Sequence, residues 1–185
     1  LVLYPALIRF VCGKVNPYRV LYAGIASVLA AFFSGDSNMT LPILLRHANE
    51  SLGVRRRVSS VTMPMFSIFS RPGTAMAVTV SFIVILKSYS SLGIVFTDML
   101  WLLGVAILLS FFLGRFPSGG AYIALATVCM LYGRGFEAGY LILKPAAFFI
   151  CSIAAATDAL TSLMGTYAMA KRWDMVHHRE LRFFI

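Results

Sequence analysis

Residues 58–86, VSSVTMPMFSIFSRPGTAMAVTVSFIVIL, decide the fold of this chain. Two uncharged runs of 13 residues, 58–70 and 74–86, lie on either side of Arg71-Pro72-Gly73. A straight membrane-spanning helix needs about 20 apolar residues, whereas a run of about 10–14 is more typical of an interrupted or re-entrant segment. The stretch therefore predicts a membrane helix that breaks near the bilayer centre and carries a charge at the break.

The same arrangement occurs three more times along the chain. The uncharged run 20–33 ends at SGDSN (34–38), the run 99–114 ends at RFPSGG (115–120), and Asp158 separates the runs 145–157 and 159–170. A charge near the bilayer centre costs a few kcal/mol or more, so such residues normally face a cavity inside the protein. Secondary transporters build their substrate and ion sites from broken helices that meet near the midplane. The four polar centres therefore predict a site of that kind.

The composition excludes most other classes of protein. The 185 residues are 59% hydrophobic and 12% charged, and a soluble domain has about 25% charged residues. The net charge of +9 comes from basic clusters between apolar runs, which is typical of cytoplasmic loops rather than of a nucleic-acid-binding surface. Cys12, Cys129 and Cys151 lack metal-ligand spacing, and no motif of an enzyme is present. We expect a membrane protein without cofactor, metal, nucleic-acid partner or enzymatic activity.

The charges also predict how the segments cross the membrane. If 18–52 and 97–133 are re-entrant hairpins while 58–88 and 137–171 are interrupted crossings, the second hairpin-plus-crossing unit is an inverted repeat of the first. One side then receives most of the basic residues: Lys14, Arg19, Arg46, Arg55, Arg56, Arg57, Lys171, Arg172, Arg179 and Arg182. The positive-inside rule makes that side cytoplasmic in a multi-pass protein of the inner cell membrane. The hairpins enter from opposite faces.

Four motifs in this order resemble the dicarboxylate/amino acid:cation symporters, a family that includes glutamate and aspartate transporters. SGDSNMTLP (34–42) resembles the serine-rich tip of the family's hairpin 1, and SRPGTA (70–75) resembles the Asn-Met-Asp-Gly-Thr-Ala break of its seventh helix. FPSGG (116–120) resembles the tip of hairpin 2, and residues 158–171 resemble the end of the eighth helix. The resemblance covers nearly the whole chain.

The resemblance implies an all-helical transport domain of the glutamate-transporter type. Residues 1–185 would be a single fragment of it: 1–14 the end of a transmembrane helix, 18–52 hairpin 1, 58–88 interrupted helix 7, 97–133 hairpin 2, 137–171 helix 8 and 172–185 a cytoplasmic tail. It also implies a homotrimer formed through an N-terminal scaffold that precedes Leu1, with contacts to membrane lipid. The implied function is elevator-type secondary active transport of a small organic anion or amino acid.

The site residues follow from the same motif positions. The substrate-binding set is Ser37, Asn38, Thr40, Arg71, Gly73, Thr74, Phe116, Gly120 and Asp158. The ion-coupling set is Ser70, Asp158 and Ser162, and the gate is Pro117, Gly119 and Gly120. Several family ligands are replaced: the sodium-binding Asn and Asp of helix 7 are Ser70 and Pro72, and the substrate-binding Asp and Arg of helix 8 are Cys151 and Ala154.

Arg71 and Asp158 each have more than one interpretation. The Arg71 guanidinium can take the place of a bound cation, which makes transport cation-independent, or bind a substrate carboxylate. It can also form a structural ion pair with Asp36 or Asp158. Asp158 can bind a cation, carry a proton, bind a substrate amino group or form the fixed ion pair with Arg71.

The hairpin tips and the function as a whole have alternatives too. Asp36, Ser37 and Asn38 can bind substrate or only cap helix ends, and Arg115 can close over a carboxylate or be solvated. Coupling can use Na⁺ or H⁺. The alternative function is a sensor or structural membrane protein that keeps the symporter fold without transport.

Overall fold

The computed structural model describes residues 5–6, 9–10, 16–89, 96–112, 120–133 and 135–176. Eight α-helices and one 3₁₀ helix can be assigned in this part of the chain. They are α1 (Pro17–Ala23), α2 (Ile25–Ser34), α3 (Leu41–Glu50), α4 (Arg56–Phe69), α5 (Pro72–Tyr89), α6 (Phe96–Phe112), α7 (Gly120–Tyr132), the 3₁₀ helix (Gly139–Ala146) and α8 (Ala147–Arg172). The described residues contain no β-strand, only one isolated bridge between Val54 and Val176. The all-helical fold predicted from the sequence is confirmed for them.

The two breaks in the first half of the chain have local causes. Gly35 ends α2 in the left-handed conformation (φ 64°), and its N–H donates to the Ala31 carbonyl at 3.0 Å, an arrangement that glycine adopts without steric cost. At the second break Ser70 leaves the helical region (φ −116°, ψ 89°). Pro72 then begins α5, because proline suits the first turn of a helix and disfavours helical backbone in the residue before it.

The expected interruption at Asp158 is wrong. Helix α8 runs for 26 residues through this position without a break. Aspartate is a weak helix former rather than a helix breaker, and only the Asp158 side chain leaves the helix to find its partners. The Ser162 hydroxyl donates to the Asp158 carbonyl at 3.0 Å, within the same helix.

Helix α8 is the centre around which the other helices pack. Its most extensive contacts are with α5, α2 and α4, and its buried face is rich in small residues such as Ala154, Ala155, Ala159 and Ser162. Small residues let helix backbones approach closely, which is how membrane helices associate. One apolar cluster around Leu44, Met63 and Leu163 joins α8 to α3 and α4. A second cluster joins α5 to α6 and α7.

Two helical stretches in the described residues are long and apolar enough to span a membrane: Arg56–Ser88, which contains the break between α4 and α5, and Gly139–Arg172. The apolar helices Ile25–Ser34, Phe96–Phe111 and Gly120–Tyr132 are shorter. Large apolar side chains point outward on α6, among them Leu100, Leu103, Ile107, Leu108 and Phe111. Exposed apolar surface of this extent is typical of a protein that faces lipid or further helices.

Close packing of α4 on α8 depends on Gly165. A Cβ atom at this position would lie 2.9 Å from the Phe66 ring. We expect Gly165→Ile to displace the Phe66 ring from α8 and to lower the free energy of unfolding by about 1–3 kcal/mol, as overpacking does in other tightly packed proteins. Thermal melting of the purified protein in detergent measures the change.

Gly104→Ile is the matched control, because Gly104 also lies in a helix but has open space around it. The two variants introduce the same side chain into helical backbone. Equal melting temperatures for both would show that Gly165 is not a packing constraint.

Candidate functional site

The N-terminus of α5 is held by a carboxylate from α8. Asp158 Oδ1 accepts the N–H of Gly73 at 2.7 Å and that of Thr74 at 3.3 Å, and Oδ2 accepts the Thr74 hydroxyl at 2.6 Å. The first N–H groups of a helix have no partner within it, and its positive dipole end attracts anions. Asp158 therefore caps the N-terminus of a helix whose Gly73 lies 85 residues before it in the sequence.

The need for this remote cap arises from the local sequence. The N–H of Ala75 donates to the Arg71 carbonyl at 3.2 Å, so Arg71 stands at the capping position of α5. N-cap side chains accept hydrogen bonds, and Ser, Thr, Asp or Asn normally do so. A guanidinium has no acceptor. The carboxylate that Arg71 cannot supply comes from α8.

Gly73 permits this contact between the two helices. A Cβ atom there would lie 2.7 Å from the Ala154 carbonyl oxygen and would also overlap the Thr157 side chain. The start of α5 and the middle of α8 thus touch backbone to backbone, and Asp158, which is 2% exposed, reaches the N–H groups directly.

The Arg71 side chain lies at the opposite helix end, the C-terminus of α4. Its Nε donates to the Ser67 carbonyl at 3.3 Å, and Nη2 donates to Asn38 Oδ1 at 3.1 Å. The last carbonyls of a helix carry partial negative charge and favour cations. At this break a cation therefore lies at the C-terminus of α4 and an anion at the N-terminus of α5.

Asn38 connects this break to the turn between α2 and α3. Besides Arg71, its Oδ1 also accepts the Ser67 hydroxyl at 3.2 Å. Its own N–H donates to Asp36 Oδ1 at 2.8 Å, which fixes the turn. Asp36 and Ser37 are buried. The turn is thus bound directly to the α4–α5 break.

A small cavity of about 20 Å³ lies where these elements meet. This volume is close to the minimum for one water molecule, so the cavity is too small for a larger molecule in this conformation. The lining contains two carboxylates and a guanidinium among small residues: Gly35, Asp36, Ser37, Arg71, Gly120, Ala121, Cys151, Ala154, Ala155 and Asp158.

The structure brings most of the residues expected at the site together. Ser37, Arg71, Gly120 and Asp158 line the cavity. Asn38, Gly73 and Thr74 are bonded to those residues as described above. The roles of these residues in binding stay predictions.

The other expected site residues lie elsewhere. The Thr40 hydroxyl donates to the Ser37 carbonyl at 3.0 Å, within the turn. Ser162 lies one helical turn beyond Asp158, and Ser70 lies in a separate apolar groove along α4. Phe116, Pro117 and Gly119, and also Arg115, fall outside the described residues.

Three cavity residues of α8 were not predicted as ligands: Cys151, Ala154 and Ala155. Together with Asp158 they have the spacing i, i+3, i+4 and i+7, which places four residues on one face of a helix. This spacing was readable in the sequence once Asp158 was chosen as the centre of α8. Ser152, next to Cys151, is fully buried, and its hydroxyl has no hydrogen-bond partner in the described part of the structure.

Removal of the Asp158 carboxylate tests its capping role. Asp158→Ala leaves the N–H groups of Gly73 and Thr74 and the Thr74 hydroxyl without their acceptor. A buried hydrogen-bonding group that loses its partner costs about 1–3 kcal/mol, so we expect a much lower melting temperature. Asp158→Asn keeps one acceptor oxygen and should melt between Asp158→Ala and the wild type.

Glu137→Ala is the control for loss of one carboxylate, because Glu137 is exposed in a turn and surface changes rarely exceed about 0.5 kcal/mol. Thermal melting in detergent gives the melting temperatures of these variants and of the wild type. If Asp158→Ala and Glu137→Ala have the same melting temperature, the Asp158 carboxylate does not stabilise the start of α5.

Comparison with known proteins tests the resemblance. The sequence profile of the sodium:dicarboxylate symporter family matches residues 1–172. Neutral amino acid transporter B(0) of Bos taurus is 30% identical over 115 residues, which are 62% of this chain and 21% of that protein. The human protein of the same name is 27% identical over 114 residues, 62% of this chain and 21% of its own length.

A third relative is an excitatory amino acid transporter of Caenorhabditis elegans, 36% identical over 70 residues, 38% of this chain and 14% of that protein. The chain thus matches about a fifth of the length of the first two relatives. The match to the family profile covers nearly the whole chain, and the predicted resemblance is confirmed. This chain, with its broken helix capped by Asp158, belongs to the sodium:dicarboxylate symporter family.

Proposed function

We propose that this chain forms the substrate-binding part of a secondary active transporter that carries a small amino acid or organic anion. The observation that carries the proposal is the small polar cavity at the α4–α5 break, which is lined by Asp36, Arg71 and Asp158. Broken helices whose ends face a buried polar site are typical of such carriers. Membership of the family and the names of the relatives support the same class of substrate.

Substrate would bind between the α2–α3 turn and the α4–α5 break. Ser37, Asn38 and Thr74 offer hydroxyl and amide groups to it. The cavity must widen to admit such a molecule. Phe116, Pro117, Gly119 and Gly120 would form the gate that opens it, as the family resemblance implies.

Arg71 would act as a tethered cation in the transport cycle. Its guanidinium is bonded to the Ser67 carbonyl and to Asn38, at the negative end of α4, where a free cation would also be favoured. Asp158 already accepts three hydrogen bonds from α5. Of the three coupling modes, Na⁺, H⁺ or cation-independent transport, these contacts favour the last.

The larger architecture is part of the same proposal. The pairs α2–α3 and α6–α7 would be re-entrant hairpins that enter from opposite faces and form two inverted repeats with the crossings α4–α5 and α8. The basic loops and the C-terminus would be cytoplasmic. The carrier would work as an elevator within a homotrimer held by an N-terminal scaffold.

Substitution of Arg71 tests the tethered cation. We expect wild-type uptake into liposomes to be the same with and without a Na⁺ gradient. Arg71→Met removes the positive charge, so its uptake should be lost without Na⁺ and partly restored with it. Arg71→Lys keeps the charge and serves as the control, with uptake that stays independent of Na⁺.

Unchanged uptake by Arg71→Met in both conditions would show that the guanidinium has no role in coupling. Wild-type uptake that requires Na⁺ would show conventional sodium coupling and would leave the proposed transport function intact.

Ligand binding tests whether the protein recognises a substrate at all. Purified protein is heated with a panel of neutral, acidic and basic amino acids and dicarboxylates, each with and without Na⁺. A ligand at about 100 times its Kd stabilises the folded state by about 2.7 kcal/mol, so we expect a raised melting temperature with at least one of them. If none has an effect in any ion condition, the non-transporting alternative replaces the proposal.

A further inference from the structure

Asp36 and Asp158 line the same cavity but differ in how their carboxylate oxygens are used. Both Asp158 oxygens accept hydrogen bonds from Gly73 and Thr74 at the start of α5. Asp36 uses one oxygen, since its Oδ1 accepts the N–H of Asn38 at 2.8 Å within the turn. No residue in the described part of the chain donates to its Oδ2. One carboxylate oxygen at the cavity is therefore still able to accept hydrogen bonds.

The surroundings of Asp36 favour a positive charge. The residue is 7% exposed and follows Gly35, which ends α2, so it lies at the helix end that carries partial negative charge. The last turn of α2 contains no basic residue to offset that charge. A buried carboxylate is costly unless it is paired and hydrogen-bonded. A cation at this end of the cavity would lower that cost.

The guanidinium in the cavity wall does not form an ion pair with Asp36. Arg71 donates to groups at the C-terminus of α4 and to the turn. The one salt bridge among the residues that the structure describes joins Arg46 to Glu50 within α3. The positive partner that Asp36 favours is thus not supplied by this arginine.

Two hydroxyl groups lie at the same end of the site. Ser37 lines the cavity, and its hydroxyl makes no hydrogen bond to any described residue. The Ser152 hydroxyl is fully buried, has no partner in the described structure and lies 3.9 Å from the position that a Cβ atom of Gly35 would take. Buried polar groups nearly always have a partner. An ammonium group, which has three N–H donors and no acceptor, is complementary to such a set of oxygens.

We propose that Asp36 binds the ammonium group of the substrate, so that the carrier selects amino acids or other primary amines over organic anions that lack nitrogen. The inference rests on the proposed transport function, because the cavity must widen before a substrate enters it. One ammonium N–H would bond to Asp36 Oδ2 and leave the bond from Asn38 to Oδ1 in place. Ala154 and Ala155 in the α8 wall have no polar side-chain atom that would compete for the carboxylate.

Pairs of ligands that differ in the ammonium group test the proposal. Alanine is compared with propionate, and aspartate with succinate, by isothermal titration of the full-length protein in detergent, with and without Na⁺. We expect the amino acid of at least one pair to bind, and its analogue without nitrogen to bind at least about tenfold more weakly. Alaninamide keeps the ammonium group and has no carboxylate, so its binding separates a simple amine from an amino acid as the substrate.

Asp36→Asn removes the charge and keeps the turn. Asparagine retains an Oδ1 that can accept the N–H of Asn38, so the local fold is preserved. We expect the binding of amino acids to weaken by about 10- to 100-fold, which corresponds to loss of a hydrogen bond between charged groups, while the binding of propionate and succinate does not weaken. Asp174→Asn is the matched control, because Asp174 is exposed and its positive φ of 52° is one that asparagine readily adopts.

Four outcomes would overturn the inference. Equal affinity for amino acids and their analogues would do so and would leave transport of organic anions in place. Unchanged binding by Asp36→Asn, or an equal loss of both members of a pair, would show that the carboxylate does not recognise the ammonium group. A melting temperature that Na⁺ alone raises in the wild type but not in Asp36→Asn would assign the carboxylate to an inorganic cation. Absence of binding by all of these ligands and by the broader panel would overturn the proposed function itself, and the inference with it.

Discussion

The hydrogen bonds from α5 to the Asp158 carboxylate are the interaction on which the rest of the structure depends. A helix that begins in the protein interior has N–H groups that need acceptors, and the residue at the capping position is an arginine that cannot supply one. The carboxylate must therefore come from another helix. This requirement fixes the rotation of α8 against α5, and it places Cys151, Ala154 and Ala155 on the cavity side.

The same break is balanced electrostatically from both ends. A guanidinium on the last carbonyls of α4 and a carboxylate on the first N–H groups of α5 each oppose the partial charge of the helix end that they contact. Neither ion is placed in apolar surroundings alone, which would be prohibitively costly. Each side chain is a hydrogen-bond partner of a helix end, and together they make a polar centre at the break.

The positions of the breaks could be predicted from the sequence, whereas the partners across them could not. Runs of 13 uncharged residues around Arg71-Pro72-Gly73 predicted the interruption between α4 and α5, since proline lacks an N–H and disturbs the residue before it. The same reasoning was wrong at Asp158, because a single carboxylate can leave a continuous helix through its side chain. The partners Gly73 and Thr74 are about 85 residues away, and their contact depends on helix packing that no local pattern encodes. The apolar groove also went unnoticed, because its walls come from α4, α6 and the end of α8, which are distant in sequence.

The hydrogen bonds around the cavity also determine which of its walls can move away without breaking a charged hydrogen bond. The α2–α3 turn is joined to the α4–α5 break by Asn38, and that break is joined to α8 by Asp158, so these three walls form one hydrogen-bonded unit. The fourth wall in the described part of the chain is Gly120 and Ala121 at the start of α7, whose side chains have no polar atoms. In the proposed carrier this cavity, large enough for one water, would have to enlarge several-fold to take up an amino acid. Displacement of α7 would break the neutral hydrogen bond from the Tyr122 hydroxyl to the Tyr140 carbonyl but none of the charged hydrogen bonds that join the other three walls.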